Sequence, residues 1–517
     1  MTTLAAREQP DLVVEPSREA FAKVYAQGKA QVVVTRLVAD LETPVSAMLK
    51  LSQGRPMSFL LESVEGGAVR GRYSVIGLAP DIIWRATGSE AFINRDAQKD
   101  ANAFVREPDA PLASLRKLLA ASRLDIPQGI PPIGVSVIGY MGYDMVRLTE
   151  HLPNVPPDSL GVPDSILVRP TITVAFDSVK DEMIVITPAW HDAKVSADAA
   201  YEAAIARLAG VIASLDDPVP HSKLMSDDTL ELPEAVSNTS REEFVAKVAR
   251  AKEYIAAGDV FQVIVGQRFS APFTLPSMAL YRALRRTNPS PFLFHLDFGT
   301  FTLVGSSPEI LVRVRDGEVT IRPLAGTIRR GATPEEDKAL EAKLLSDPKE
   351  RAEHLMLVDL GRNDVGRVSD IGTVQVRESF VIERYSHVMH ISSHVTGRLD
   401  KRHDVIDALM AGFPAGTLSG APKVRAMEII DELEKEKRGP YGGCVGYFSA
   451  DGEMDSCIVL RTAVVKDGRI YVQAGAGIVA DSDPAAEQAE CEAKSRALFK
   501  AAEEAVRFAK AARRGNR

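Results

Sequence analysis

Two clusters of carboxylates stand at helical spacing in this 517-residue sequence. Glu350 and Glu353 lie three residues apart in one helical pattern, and Glu487, Glu490 and Lys494 follow similar spacing in another. Residues three or four apart share one face of a helix, so each cluster presents its carboxylates together. Either cluster alone is more typical of a solvated helix face. Two such helices could hold a hard cation such as Mg²⁺, with water and a ligand carboxylate completing its coordination.

Four further side chains are unusual for their surroundings. They are a histidine and an arginine in predicted apolar strands, a carboxylate at the start of a further predicted strand and a tyrosine in a glycine-rich turn: His390, Arg461, Glu309 and Tyr441. A buried arginine needs an anionic partner, because an unpaired charge is costly to bury. A lone histidine in a strand is usually a hydrogen-bonded core residue, and any fold can use such a turn. Together the four residues predict a polar pocket for an anion.

The run GAGIVA at 475–480 matches the pattern G-x-G-x-x-A and follows a predicted strand at 470–473. A dinucleotide site requires the helix to begin at the glycines, whereas DSDP intervenes at 481–484. A Rossmann-type site is therefore disfavoured. Two alternatives remain open: a backbone amide nest for a carboxylate, and a tight turn that needs glycine.

Composition narrows the class of protein. The 62 basic and 70 acidic residues give a net charge of -8, which argues against a nucleic-acid binder. Three cysteines without C-x-x-C spacing predict a reducing compartment. The sequence shows neither a signal peptide nor an apolar run that could span a membrane. We expect a cytoplasmic protein with no nucleic-acid or membrane partner.

The elements that position these residues follow a regular order. The pattern predicts an N-terminal extension, an N-terminal region, a Pro- and Asp-rich linker, a main domain and a C-terminal helical tail, at 1–40, 41–215, 216–239, 240–500 and 501–517. Ser240 and Glu243 form a capping-box signature at the start of the main domain. Asp-Gly pairs at 316–317, 451–452 and 467–468 predict hairpins. Hairpins with interspersed helices predict an α+β fold.

Four strings resemble the motifs of the chorismate-utilising enzymes. They are FPAGTLSGAPKVRAME at 413–428, DLGRND at 359–364, GPYGG at 439–443 and QAGAGI at 473–478. Within this family the chain is most similar to the component I (large-subunit) branch of the anthranilate synthases, strongly over 240–500 and more loosely over 41–190. The resemblance implies two large antiparallel sheets packed as a sandwich and flanked by helices.

The resemblance also implies a Mg²⁺-dependent lyase reaction, the first step of tryptophan biosynthesis. Ammonia adds at C2 of chorismate as the C4 hydroxyl leaves, and loss of pyruvate then gives anthranilate. Glu353 and Glu490 would hold Mg²⁺, with Glu350 and Glu487 in support. Glu309 would be the general acid for the departing hydroxyl, a role that needs a carboxyl kept partly protonated.

Other site residues are assigned by the same resemblance. His390 and Thr417 would position the ring and its leaving group. The chorismate-binding set would be Gly326, Thr327, Tyr441, Arg461, Gly475, Ala476, Gly477 and Lys494. Within it, Tyr441, Arg461 and the amides at 475–477 would grip the enolpyruvyl carboxylate, Arg461 by a bidentate contact.

Two positions distinguish the sister activities of the family. Isochorismate- and salicylate-forming relatives carry a water-activating lysine where this chain has Gln262, and glutamine cannot act as that base. Many aminodeoxychorismate synthases have a nucleophilic lysine at the position of Ala325, which offers no nucleophile. Both differences favour ammonia as nucleophile and anthranilate as product. The alternatives are aminodeoxychorismate synthase component I and a non-catalytic relative that binds tryptophan or chorismate.

Two strings, one N-terminal and one central, predict a regulatory site. LES at 61–63 and NPSPFL at 288–293 resemble the family's tryptophan feedback site, which implies contacts from Leu61, Glu62, Ser63, Pro291, Phe292 and Leu293. The family usually has Tyr-Met where this chain has Phe292 and Leu293. Without the resemblance, both strings would be interpreted as core strands and turns.

The segment 501–517 is too short for a glutamine amidotransferase domain, so ammonia is expected from a separate subunit, component II, with two copies of each chain.

Overall fold

The computed structural model describes residues 12–65, 69–220, 234–385 and 388–514. The α-helices are α1 (Arg18–Tyr25), α2 (Pro44–Ser52), α3 (Pro111–Ala121), α4 (Ala197–Leu215), α5 (Arg241–Ala257), α6 (Ser277–Thr287), α7 (Pro334–Ser346), α8 (Pro348–Gly366), α9 (Val405–Gly412), α10 (Lys423–Leu433) and α11 (Pro484–Arg514). The strands of the first half are β1 (Val14–Glu15), β2 (Gln31–Val38), β3 (Ser58–Glu65), β4 (Val69–Thr87), β5 (Glu90–Asn94), β6 (Val105–Arg106), β7 (Ser136–Met141), β8 (Ser165–Asp177), β9 (Glu182–Ala189) and β10 (Val236–Ser237). Those of the second half are β11 (Gln262–Pro272), β12 (Phe292–Asp297), β13 (Thr302–Ser307), β14 (Ile310–Arg315), β15 (Glu318–Ile321), β16 (Leu324–Arg329), β17 (Gln375–Arg384), β18 (Val388–Arg398), β19 (Gly420–Ala421), β20 (Cys444–Ser449), β21 (Met454–Ile458), β22 (Thr462–Lys466) and β23 (Arg469–Ile478).

Two large antiparallel sheets share the long strands β4 and β8. In the first sheet these strands lie between β3 and β9, and the order is β1-β2-β9-β8-β4-β3-β12-β13-β22-β23-β11-β10. In the second sheet they lie between β5 and β7, and the order is β6-β5-β4-β8-β7-β20-β21-β14-β15-β18, with β16 and β17 also on β18. Between the two sheets, Ala79 has a φ of 47° and the β4–β8 register shifts, which interrupts the regular ladder.

Strand alternation divides the apolar side chains among three cores. Val75 and Ile83 of β4 belong to a core between the sheets, with residues from both. Their neighbours Ile76 and Trp84 point the other way, into two cores that each pack a sheet against helices. This architecture confirms the predicted α+β sandwich flanked by helices.

The predicted sequence segments contribute to the same sheets. Strand β3 of the N-terminal region pairs with β12 of the main domain, and β7 pairs with β20. Strand β2 of the predicted extension pairs with β9. The predicted boundary at 500 falls inside α11. Part of the predicted linker, 221–233, lies outside the described residues. The functional division of the chain therefore stays a prediction.

Local signals of the sequence are well reproduced. The Ser240 hydroxyl accepts a hydrogen bond from the Glu243 backbone N–H, and the Glu243 carboxylate accepts one from that of Ser240, so the capping box starts α5. Asp316 and Gly317 have φ values of 50° and 72°, as a tight hairpin turn requires. Cys444, Cys457 and Cys491 are buried free thiols. In the part of the chain that the structure describes, no helix has the length and apolar composition of a membrane span.

Candidate active site

All but one of the residues assigned to chemistry, chorismate or metal line a single cavity of about 340 Å³, the first cavity. They come from both sheets and from helices α8 and α11. Others come from the turns on either side of α10 and from the turn after β21. The set is Gln262, Glu309, Gly326, Thr327, Glu350, Glu353, His390, Thr417, Tyr441, Arg461, Gly475, Gly477, Glu487, Glu490 and Lys494.

The exception, Ala476, shows that the glycine run is a strand and neither a turn nor a nest. The predicted strand ends at 473, whereas β23 continues to Ile478 in register with β11. Alternation along β23 places Gly475 and Gly477 at the cavity and the methyl group of Ala476 in a core against the helices. A Cβ atom on Gly477 would lie 2.9 Å from the Gln262 amide nitrogen, so glycine keeps this wall open. The prediction that Ala476 lines the site is corrected accordingly.

Glu309 is a buried carboxylic acid at the entry of β14. The Thr417 hydroxyl donates a hydrogen bond to Oε1 of Glu309 at 3.3 Å. The backbone carbonyl of Glu309 accepts a hydrogen bond from the Ile458 N–H at 3.0 Å. Burial raises the pKa of Glu309 to about 8, although the Thr417 bond acts in the opposite direction. Glu309 therefore holds a proton at neutral pH, which is the state a general acid requires.

His390 is a neutral imidazole with a fixed tautomer. Its Nδ1 lies 3.1 Å from both the Gly326 carbonyl oxygen and Thr327 Oγ1. Because a carbonyl oxygen can only accept, Nδ1 carries the hydrogen and Nε2 is left as an acceptor. Burial lowers the pKa of His390 to about 4, so the ring stays uncharged at neutral pH.

Arg461 supplies a buried cation. It lies beyond the end of β21, with a φ of 50°, and not inside an apolar strand as predicted. Burial lowers the pKa of Arg461, and the charges of Glu309 and Glu490 oppose that effect. Among the described residues its guanidinium has no ion-pair partner within 4.0 Å, so the cavity presents an uncompensated positive charge to a ligand anion.

The two helices with carboxylates converge on this cavity. Burial raises the pKa of Glu350 on α8, and the charges of Glu353 and, more weakly, Glu490 of α11 add to the effect. The Gln262 amide donates to Glu353 Oε1 at 3.4 Å. The Lys494 ammonium lies 2.6 Å from Glu490 Oε1 and donates to the Gly475 carbonyl at 2.9 Å. The sequence alone could not show this convergence.

These carboxylates fit Mg²⁺ by their chemistry. Like charges that repel one another across two helices are stabilised by a shared cation, and oxygen is the donor that Mg²⁺ prefers. Among the described residues, no three acidic, histidine or cysteine side chains are close enough to enclose a metal ion by themselves. Mg²⁺ is usually bound through one or two carboxylates, with water and ligand oxygens completing its coordination.

The six residues assigned to tryptophan line a second cavity, of about 280 Å³. They are Leu61, Glu62, Ser63, Pro291, Phe292 and Leu293. The pairing of β3 with β12, with Glu62 opposite Leu293, brings the two strings together. Glu62 is buried and accepts hydrogen bonds from Tyr281 Oη and Arg285 Nε, both at 2.6 Å.

Sequence reasoning missed several lining residues. In the first cavity they include Lys349 and Gln473, and in the second cavity Arg313, Tyr447 and Asp455. Gln473 could have been found, because it lies two residues before Gly475 on the same face of β23. Arg313 and Asp455 pair across β14 and β21, with Arg313 Nε 2.8 Å from Asp455 Oδ2, and no local pattern in the sequence signals that contact.

Comparisons with known proteins agree with this geometry. The family described as chorismate binding enzyme matches residues 75–500. Anthranilate synthase component 1 of Cereibacter sphaeroides is 56% identical over 499 residues, which cover 96% of this chain and 100% of that protein. The protein of the same name from Pseudomonas putida is 48% identical over 493 residues, covering 94% and 98%.

Solved structures give the same result. The crystal structure of anthranilate synthase component I from Streptococcus pneumoniae TIGR4 has a TM-score of 0.74 and 36% identity, covering 89% of this chain and 98% of that one. The menaquinone-specific isochorismate synthase from Escherichia coli, with a TM-score of 0.68, 19% identity and coverage of 94% and 98%, shares the fold. The chain therefore belongs to the chorismate binding enzyme family, as its motifs predicted, and is similar over nearly its whole length to anthranilate synthase component 1.

Proposed function

We propose that this protein is the ammonia-using subunit of an anthranilate synthase, a lyase that converts chorismate and ammonia to anthranilate and pyruvate. The observation that carries the proposal is the first cavity, where a protonated Glu309 and an uncompensated Arg461 stand together. Conversion of chorismate requires an acid that protonates the leaving hydroxyl and a cation that binds a carboxylate. The names of the relatives support the same activity.

Substrate binding begins with the carboxylates of chorismate. Arg461 binds the enolpyruvyl carboxylate, since a guanidinium can offer two parallel N–H donors to it. The Tyr441 hydroxyl reaches the same region, 3.2 Å from where a Cβ atom on Gly475 would lie. The glycines at 475 and 477 leave the wall open for the ligand.

Mg²⁺ is proposed as the cofactor. Glu353 and Glu490 would hold it, with Glu350 and Glu487 in support, and each of the four lines the first cavity. When bound, Mg²⁺ would neutralise the ring carboxylate of the substrate. In the absence of the ion, these glutamates would repel an anionic substrate.

The acid step depends on Glu309. It donates its proton to the C4 oxygen as the C–O bond breaks, and Thr417 holds the carboxyl in place through the 3.3 Å contact. The neutral imidazole of His390 accepts a hydrogen bond at Nε2 and so orients the ring. The nucleophile enters a cavity lined by Gln262, which cannot act as a base toward water. The nucleophile must therefore be a neutral amine, which needs no such base. Ammonia adds at C2, and loss of pyruvate then restores the aromatic ring.

Ammonia is proposed to come from a glutamine amidotransferase partner, component II, in a cytoplasmic assembly with two copies of each chain. The designation component 1 in the relatives' names supports a second component. The reaction would open tryptophan biosynthesis, and tryptophan would inhibit it from the second cavity. Phe292 and Leu61 supply an apolar wall for an indole ring there, and the polar groups of Ser63 and Asp455 lie beside it.

Product identification by mass tests the proposal. The purified chain is mixed with chorismate, Mg²⁺ and isotopically labelled ammonium, and anthranilate that carries the label is expected. Labelled aminodeoxychorismate would move the protein to the folate branch, and isochorismate would show that Gln262 does not exclude water. Glu353→Gln tests the metal assignment, because full Mg²⁺-dependent activity in that variant would contradict it.

A further inference from the structure

Three side chains behind Glu309 and His390 form a cluster without a role in the proposed reaction, the Glu383 cluster, made of Glu383, Arg322 and Tyr385. Glu383 Oε1 lies 3.4 Å from Arg322 Nη1, and the Tyr385 hydroxyl donates to Glu383 Oε2 at 2.8 Å. We propose that Glu383 is a positioning residue, which compensates the charge of Arg322 and anchors Tyr385 so that the acid Glu309 retains its proton. The inference rests on the proposed function, in which Glu309 is the proton donor.

Arg322 is close to the acid through the chain that connects β15 to β16. Its chain neighbours Pro323 and Leu324 each line a cavity together with Glu309. The Arg322 side chain is largely buried, and its Nε finds no acceptor among the described residues. Its positive charge lowers the pKa of Glu309, because a nearby cation favours the carboxylate form. Without a counter-charge, Arg322 would therefore favour the carboxylate form of Glu309 more strongly.

Tyr385 connects the cluster to both sides of the site. Its ring meets the His390 imidazole edge to face, with centroids 5.5 Å apart and planes at 69°. Its hydroxyl is also 3.5 Å from the carbonyl oxygen of Pro308, the residue before Glu309. Glu383 and His390 are directly opposite in the β17–β18 ladder, so the hydrogen bond from Tyr385 ties its ring to the strand pair that carries His390.

Three side chains from different elements act on Glu309. The Thr417 hydroxyl and the charges of Arg322 and Arg461 all favour the carboxylate. Arg461 gains a counter-anion when the substrate binds. Arg322 lies outside the first cavity, and among the described residues the carboxylate that pairs with it is that of Glu383.

Glu383→Gln tests the inference, because it keeps the side-chain shape and removes the charge. The reaction rate falls as pH rises through the pKa of the acid, and this limb should move about one pH unit lower in Glu383→Gln. Arg322→Gln should move it higher, and the double variant should return it close to that of the unaltered protein. Rates are compared at equal ammonium and equal pH, so that protonation of ammonia cancels.

Glu378→Gln is the matched control. It makes the same change on the same strand, but its partner is His394, at 3.5 Å, and its side chain is 58% exposed. It should leave the limb in place. A Glu383→Gln variant that loses activity equally at every pH would show a purely structural role and overturn the inference.

An infrared titration separates this inference from the proposed function. The carbonyl band of protonated Glu309, identified by its loss in Glu309→Gln, is followed against pH without any substrate. A lower midpoint in Glu383→Gln supports the inference whatever product the enzyme makes. An unchanged midpoint overturns it, even if the product is anthranilate.

Discussion

The buried cation of the first cavity, Arg461, has no ion-pair partner among the described residues, whereas the carboxylates of the second cavity are bonded to arginines. Glu62 is held by Arg285, and Asp455 by Arg313. The second cavity also contains Phe292 and the apolar strand residues around it. The charge of Arg461 is thus left available in the first cavity, whereas Glu62 and Asp455 are compensated in the second.

This difference indicates two kinds of ligand. An uncompensated charge in a buried site is stabilised when a ligand of opposite charge binds beside it. This fits a substrate with two carboxylates, together with a metal ion. Compensated charges around an apolar wall fit a mostly apolar ligand whose polar end needs a few hydrogen bonds. Strand β21 contributes Asp455 to the second cavity and leads directly to Arg461 in the first, so the two sites share an element.

The largest effect is expected from removing the acid. Glu309→Gln should lower the rate of anthranilate formation about a hundredfold to ten-thousandfold, because the leaving hydroxyl loses its proton donor. The affinity for tryptophan, measured by calorimetry, should not change. A loss of tryptophan binding in this variant would mean that the two cavities are not separate sites.

Removal of the uncompensated cation should weaken substrate binding. Arg461→Gln should raise the KM for chorismate about a hundredfold, because the buried carboxylate would lose a charged partner. Arg72→Gln is the control, since Arg72 lines the second cavity and pairs with Asp177. Equal KM values for Arg461→Gln and the unaltered protein would remove Arg461 from the substrate site.

The apolar wall of the second cavity can be tested in the same way. Phe292→Ala should raise the tryptophan concentration for half-inhibition about twentyfold, in proportion to the apolar area lost, with no change in the KM for chorismate. Phe261→Ala is a matched control, because Phe261 is 72% exposed and lies outside both cavities. Unaltered inhibition in Phe292→Ala would place tryptophan elsewhere.

The smallest effect concerns pH. Burial raises the pKa of Glu309 to about 8, so its acid form is lost as pH rises through that value. At constant free ammonia, the rate should fall about threefold over one pH unit centred on the pKa, because the protonated fraction falls by that factor. Tryptophan binding should stay constant over the same range. A rate that rises across it would contradict the role of Glu309 as acid.

Much of the fold follows from local signals. The capping box at Ser240 and the Asp-Gly pair at 316–317 gave the start of α5 and a hairpin, because both act within a few residues. Glu350 and Glu353 were placed on one helix face by spacing alone. The family motifs identified nearly all of the cavity, including Thr417, which no local argument marks.

Long-range geometry could not be predicted in the same way. The extension of β23 through Gly475 depends on its pairing with β11, since glycine by itself disfavours a strand. The position of Arg461 outside β21 and the contact of Glu383 with Arg322 both depend on how distant strands meet. Sequence patterns describe neighbours along a chain, whereas these contacts are set by the sheet register.

The most direct test of the two-cavity account is a crystal structure of Glu309→Gln grown with Mg²⁺, chorismate and tryptophan, since this variant should not consume its substrate. The account predicts chorismate in the first cavity with a carboxylate on Arg461, and tryptophan in the second cavity against Phe292. Tryptophan in the first cavity, or chorismate bound without contact to Arg461, would contradict it.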